Sequence, residues 1–220
     1  MFENDYSIAD IYVQDIACIT TAFSGDKYIH SAERLETMLG NCEGGIVAIN
    51  GDYYVLHDYG PVIRNGVVYG ENITRDLDVC VLSMNGELIT YSYGRLKKEI
   101  LAAANPYQTW AFGPSLLDDA GNAKTEFRSS VQGTNPRSVI GYYEPGHYAF
   151  LAVDGRSEVS KGMTMQELSQ LCEFLGFTCA YNLDGGRSSV LQSKSGPINL
   201  PYAGGRPSSD SIVVRELPAD

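Results

Sequence analysis

Positive charge is what this chain has least of. Only 16 Lys and Arg stand against 27 Asp and Glu, a formal net charge of −11. Duplex affinity comes largely from neutralised phosphates, so no nucleic-acid partner is expected. Tryptophan occurs once. The five cysteines (Cys18, Cys42, Cys80, Cys172, Cys179) include no CxxC pair and no metal-ligand spacing, which argues against a zinc or redox site. Cys18, Cys80 and Cys172 fall in apolar periodic segments and read as buried free thiols. No run approaches about 20 apolar residues, so no membrane insertion by this segment is expected. The first residues lack a basic stretch followed by an apolar core, the pattern of a leader peptide. HExxH, GxSxG, the P-loop and the Asp-rich calcium loop are all missing.

What is present is a 44% hydrophobic chain with 20% charged residues and 15 tyrosines. That suits one domain over residues 1–220 with a sizeable core. Tyrosines offer an apolar face and a hydroxyl, which suits sugars, although a sheet-rich fold enriches them too.

The most informative stretch is Asn182-Leu183-Asp184-Gly185-Gly186-Arg187-Ser188-Ser189, which follows an apolar run. An amide, a carboxylate, two glycines, a guanidinium and two hydroxyls in eight residues is a mixture no core requires. Glycines allow close backbone approach, and a carboxylate beside them can move a proton. Val153-Asp154-Gly155-Arg156 ends another apolar run, and Asn50-Gly51-Asp52 a third. Asp-Gly also makes ordinary turns, so Asp154-Gly155 alone fits either role. Arg137, before a β-prone run, fits an exposed charge or an anion clamp. His30 and His147 carry no signal, and His57 reads as a loop residue.

The fold class read from the pattern is α+β: a mixed β-sheet with several hairpins and a few packed helices. Residues 8–23 read as one or two strands. Ser31 is expected to cap a short helix carrying Leu35, Met38 and Leu39, with Gly40 ending it. Asn65-Gly66 and Asn85-Gly86, each between β-prone runs, predict tight primed turns. Residues 96–104 look helical. Glu144-Pro145-Gly146-His147 predicts a type II turn between strands 138–143 and 148–153. Thr164 and Glu167 form a capping box, Met163 staples onto Leu168, and Gly176 sits just past the helix end. Residues 178–183 and 210–215 complete the strands. Were 148–153 and 178–183 parallel neighbours joined by that helix, Asp154 and Asp184 would share one rim, with Asn50 and Asp52 close by.

Taken in order, Ala48–Tyr54, Gly60–Gly66, Phe112-Gly113-Pro114, Asn135-Pro136-Arg137-Ser138, Val153–Arg156, Gly162-Met163-Thr164 and Asn182–Gly186 resemble the phosphodiester glycosidase domain family over about residues 8–215. The resemblance implies hydrolysis of a sugar from a sugar-1-phosphodiester, with cell-surface or exopolysaccharide glycans as substrate and an extracellular or cell-surface location. It brings Asn50, Asp52, Arg137, Asp154, Arg156, Asn182, Asp184, Gly185, Gly186, Ser188 and Ser189 to one pocket. Asp184, Asp154 and Asp52 are the expected catalytic carboxylates, with Asp184 first as nucleophile or base and Asp154 as its partner. Arg137 and Arg156 are expected on the phosphate. Asn50, Asp52 and the Gly185-Gly186 backbone would orient the sugar. The family usually carries a third glycine where this chain has Arg187, which would fill the pocket or add an anion contact. No cofactor is called for. A metal-assisted phosphodiesterase using Asp154 and Asp184, and a non-catalytic glycan-binding module, stay open as alternatives, as does the oligomeric state.

Overall fold

The computed structural model describes residues 4–28, 31–54, 60–73 and 77–218. His30 and His57 lie outside them. The elements, in chain order, are β1 (Tyr6–Tyr12), β2 (Ile19–Phe23), α1 (Leu35–Asn41), β3 (Gly45–Asn50), β4 (Gly60–Arg64), β5 (Val67–Asn72), β6 (Val79–Ser83), β7 (Leu88–Tyr91), α2 (Lys98–Ala103), β8 (Pro106–Trp110), β9 (Arg137–Glu144), β10 (His147–Val153), α3 (Met165–Phe174), β11 (Cys179–Asn182), β12 (Leu191–Ser193), β13 (Gly196–Pro197) and β14 (Asp210–Arg215). The protein is mostly β with three α-helices, in keeping with an α+β class.

Strands order as β1-β10-β9-β11 in one sheet and β13-β12-β3-β14-β2 in a second, with smaller sheets β4-β5 and β7-β6-β8. Every strand pair among the described residues is antiparallel. The expected mixed sheet is therefore corrected, and so is the expected adjacency of strands 148–153 and 178–183. The Pro-Gly hairpin folds β9 directly onto β10, and β1 occupies the other side of β10. The crossover through α3 must therefore step over β9 before β11 can pair. Two antiparallel steps restore direction, so β10 and β11 still run the same way and end at the same rim.

The period of two along each strand builds the layers. Ile140, Tyr148, Phe150, Ala152 and Tyr181 face Ile19, Ile49, Leu191 and Ile212 of the five-stranded sheet, with Trp110 and Leu82 closing the core. The opposite face of the first sheet, with Val139, Leu151 and Val153, packs on Leu168, Leu171 and Cys172 of α3. α1 covers the outer face of the second sheet through Leu39 against Ala48 and Val213. The central strands β9, β10 and β14 are thus buried almost throughout, while the edge strand β1 is largely exposed or half-buried.

Local signals were kept in part. Asn65 (φ 53°) and Gly66 (φ 76°) both take the left-handed region, as a type I′ turn requires. At the second hairpin only Gly86 does (φ 87°), while β6 and β7 are joined by four residues; this is not a two-residue primed turn. α1 has no side-chain cap: Ser31 bonds Ser24, and Arg34 occupies the cap position. Gly40 lies inside that helix rather than ending it. All five cysteines are unpaired thiols. No helix among the described residues is long and apolar enough to cross a membrane.

α3 follows its sequence closely. Thr164 Oγ1 accepts from the Glu167 amide at 3.2 Å, and the Glu167 carboxylate accepts from the Thr164 amide at 2.8 Å. Thr164→Ala should therefore lower the unfolding free energy by about 1 kcal/mol, and Thr164→Ser should restore most of it. Urea denaturation of the three proteins measures this; equal midpoints would show that the cap contributes nothing.

Candidate active site

The rim is made by register. β9 runs against both β10 and β11, so its first residue, Arg137, pairs with Val153 where β10 ends, and Val139 pairs with Asn182 where β11 ends. In the second sheet Ser211, near the start of β14, pairs with Asn50, the last residue of β3. Asn50, Asp154 and Asp184 therefore leave strands of two facing sheets at one edge.

Asn50 is fully buried and ties the sheets together. Its Nδ2 donates to the Asp184 carbonyl at 2.7 Å, and its Oδ1 accepts from Ser138 Oγ at 2.7 Å and from the Val190 amide at 3.4 Å. With its amide spent on these groups, Asn50 braces the two sheets against each other. Asn182 is also buried, with Nδ2 donating to the Gly113 carbonyl at 2.7 Å. Its Oδ1 and the hydroxyl of Ser189 find no partner among the described residues.

The glycines explain the backbone. A Cβ on Gly155 would lie 2.9 Å from Pro136 N and 2.8 Å from Gly162 Cα, and one on Gly185 would lie 2.9 Å from Pro136 O. The Pro136 backbone is wedged between the two Asp-Gly loops, so Gly155 and Gly185 admit another backbone and not a ligand. Gly186 (φ 65°) starts a 3-10 turn over Gly186–Ser188, and a Cβ there would lie 3.2 Å from the Arg156 guanidinium.

The three carboxylates have different surroundings. Asp184 Oδ2 accepts from Ser188 Oγ at 2.6 Å and from Arg206 Nη2 at 2.7 Å. No hydrogen bond to its Oδ1 is formed among the described residues. Asp154 Oδ1 accepts from Asn199 Nδ2 and the Leu200 amide, each at 2.9 Å, and burial raises its carboxyl above the ordinary range. Asp52 is committed elsewhere. It accepts from the Ala111 and Phe112 amides at 2.9 and 3.1 Å and pairs with Arg64 at 3.3 Å. Arg64, wholly buried, is held from the other side by Asp210 at 2.7 Å. Burial pushes the Asp52 carboxyl up to about 6 against the opposing pull of Arg64. Asp52 thus anchors the end of β8 to Arg64.

The guanidiniums divide likewise. Arg137 is 1% exposed and gives Nε to the Met163 carbonyl at 2.9 Å and Nη2 to the Gly133 carbonyl. Among the described residues it has no carboxylate partner, and burial together with nearby Arg156 lowers it to about 10. Arg156 is exposed, bonds Asn135 Oδ1 at 2.7 Å and lies 5.3 Å over the Tyr202 ring. Arg187 is exposed and reaches the Gly205 carbonyl at 3.4 Å. Ser188 is buried and bonds Asp184.

Arg206 is the site residue that sequence reasoning missed. Its Nε donates to Ser188 Oγ at 2.6 Å, its Nη2 pairs with Asp184, and its guanidinium lies 4.4 Å from the Tyr53 ring centroid. The available signal was Gly204-Gly205-Arg206, which repeats Gly185-Gly186-Arg187. Tyr53 also borders a hollow of about 330 Å³ lined by Asp52, Phe112, Arg128 and Ser129. The hollow thus lies beside the Asp184 wall and not directly on it. Among the described residues no three His, Cys, Asp or Glu gather as a metal-binding group.

A model of the phosphodiester glycosidase family matches residues 43–215. The uncharacterized SPβ prophage-derived protein YomE of Bacillus subtilis (strain 168) is 28% identical over 161 residues, 70% of this chain and 25% of that protein. The match thus spans about a quarter of that relative. The zebrafish N-acetylglucosamine-1-phosphodiester α-N-acetylglucosaminidase catalytic domain, auto-inhibited by its pro-peptide, superposes with a TM-score of 0.75 at 18% identity, over 99% of this chain and 85% of that one. A hypothetical protein from Synechocystis gives 0.64 at 15% identity, over 98% and 60%. At these identities the two structures show a shared fold.

The raised Asp52 carboxyl has a consequence for stability. A proton binds it more tightly in the folded than in the unfolded chain, so its contribution is fully present below the unfolded value near 3.8 and is lost as pH rises through about 6. Relative to Asp52→Asn, whose side chain does not titrate, the parent should gain stability as pH falls from 7 to 4. Thermal melts of both proteins across that range test this; a parent that instead loses ground would mean Asp52 is stabilised as the anion.

Proposed function

The chain belongs to the phosphodiester glycosidase family, and from that premise we propose that it hydrolyses the bond between an anomeric carbon and the phosphate of a sugar-1-phosphodiester. The observation that carries this reading is Asp184. One oxygen is fixed by Ser188 and Arg206, and the other has no hydrogen bond among the described residues; Gly186 of the same loop lies against the Arg156 guanidinium, and Arg137 lies near Arg156. In a protein of net charge −11, guanidiniums gathered around a carboxylate serve an anion that must be brought to a nucleophile or base.

The chemistry follows from the contrast between the carboxylates. Asp184, held and oriented by Ser188 and Arg206, is the group that attacks the anomeric carbon or activates water. Asp154, whose carboxyl is raised by burial, serves as its acid partner. Departing phosphate needs little proton assistance but does need its charge met, and Arg156 is the exposed guanidinium placed to meet it. Arg137, buried behind it without a counter-anion, adds positive field and not a direct contact. The transition state is oxocarbenium-like. Within this reading the substrate is a cell-surface or exopolysaccharide glycan and the site of action extracellular, as the family resemblance suggests.

Reducing-sugar release from a panel of sugar-1-phosphodiesters tests the reading. Asp184→Asn keeps size and turn geometry but cannot act as base or nucleophile. It should cut turnover at least about 100-fold, the lower end of what a positioned acid–base group contributes, with a melting temperature close to the parent. Near-parent turnover in folded Asp184→Asn would move the chemistry to another residue. Tight glycan binding with no turnover by the parent would make the domain a binding module.

A further inference from the structure

One short segment touches every part of the rim. Residues 199–206 leave β13 and return to the cleft through a 3-10 turn over Tyr202–Gly204. Three consecutive residues take left-handed backbone: Ala203 (φ 52°), Gly204 (φ 73°) and Gly205 (φ 78°). For Ala203, which has a Cβ, that conformation is unfavourable, so contacts must hold the turn. At one end Asn199 Nδ2 and the Leu200 amide hold Asp154 Oδ1, and Asn199 Nδ2 also donates to the Ser189 carbonyl at 3.2 Å. In the middle Tyr202 underlies Arg156, and the Gly204 and Gly205 carbonyls accept from Arg34 and Arg187. At the other end Arg206 holds Asp184 and Ser188 while stacking on Tyr53.

We propose that this segment is a strap that sets the two carboxylates as one unit, with Arg206 the positioning residue for Asp184. The proposal rests on the phosphodiester glycosidase reading for its reaction, and on contacts alone for the coupling. Arg206 holds only Oδ2 of Asp184, through a planar fork that also engages Ser188, so it fixes the carboxylate's rotation and aims Oδ1 into the cleft. Because the tight turn leaves little slack between Leu200 and Arg206, a displacement of one end reaches the other. Arg187, through its bond to the Gly205 carbonyl, ties the strap back to the loop carrying Asp184. In this chain it therefore serves the strap's position and not the pocket's volume.

Two measurements decide it. The first is a double-mutant cycle on kcat with a sugar-1-phosphodiester. Arg206→Gln should lower kcat by about 10- to 100-fold, the cost of misplacing a reacting group by a fraction of an ångström to an ångström, with a smaller change in KM. Arg206→Lys, which keeps charge but not the fork, should recover only part. Asn199→Ala should also lower kcat, and the double variant should lose less than the product of the two singles. The second needs no turnover: in ¹⁵N spectra Arg206→Gln should shift the Leu200 amide, at the far end of the strap, more than the amides of α3. Multiplicative losses with an unmoved Leu200 amide would overturn the coupling, and a loss confined to KM would overturn the positioning role. If the parent cleaves no sugar-1-phosphodiester, the catalytic reading falls while the Leu200 amide still decides the strap.

Discussion

Everything at the rim hangs on one buried side-chain amide. Asn50 belongs to the second sheet, yet both ends of its amide are spent on the first: on the carbonyl of Asp184 and the hydroxyl of Ser138. An unmet buried amide is costly, so the pairing is closely specified. Two sheets that meet through apolar side chains can slide over one another at small cost. A directional bond between their edges removes that freedom at the place where a carboxylate must be held to within a fraction of an ångström. The Arg64 wedge between Asp52 and Asp210 does the same further along the second sheet, pinning the end of β8 with two carboxylates and two carbonyls.

Charge at the rim inverts the charge of the whole. The protein is strongly acidic, but Arg206 pairs with Asp184, Arg156 lies against Gly186 of the same loop, and Arg137 lies near Arg156. Arg137 is the clearest instance, being buried on carbonyl acceptors without a carboxylate. Such a cation is tolerated because the fold supplies dipoles at its own expense, and the uncompensated charge is then available to an incoming anion. Asp154 shows the opposite device, a carboxylate drawn out of water that, among the described residues, an amide side chain and one backbone N–H hold.

Much of this was legible in the sequence, for reasons that differ by residue. The α3 cap and its stop are local, set by Thr164, Glu167 and Gly176 within a dozen positions, and they hold. The Asn65-Gly66 turn holds because both residues tolerate left-handed backbone. Asp154 and Asp184 were placed on one edge by a topology that was wrong in detail: β9 lies between their strands, and direction survived because two antiparallel steps cancel. What could not be read were contacts between distant segments. Asn50, Asp52 and Arg137 look from their neighbours in sequence like ligand contacts. The partners they meet across the fold, such as Asp184, Ala111 and Met163, show that they also act as braces. Arg206 was passed over because its meaning comes from Asp184 and Tyr53, not from the residues beside it.

The seat of Pro136 between Gly155 and Gly185 has a bearing on how such a cleft can change over time. Three backbone segments are stacked there with no room for a methyl group, so the rim's main chain is a rigid chassis whose spacing is not open to adjustment by single substitutions. New specificity must come from what is bolted on: the outward side chains at 156 and 187, the wall at 128–131, and the turn at 199–206. The same architecture could then meet different sugars or leaving groups while the distance between its two central loops stays where the glycines put it.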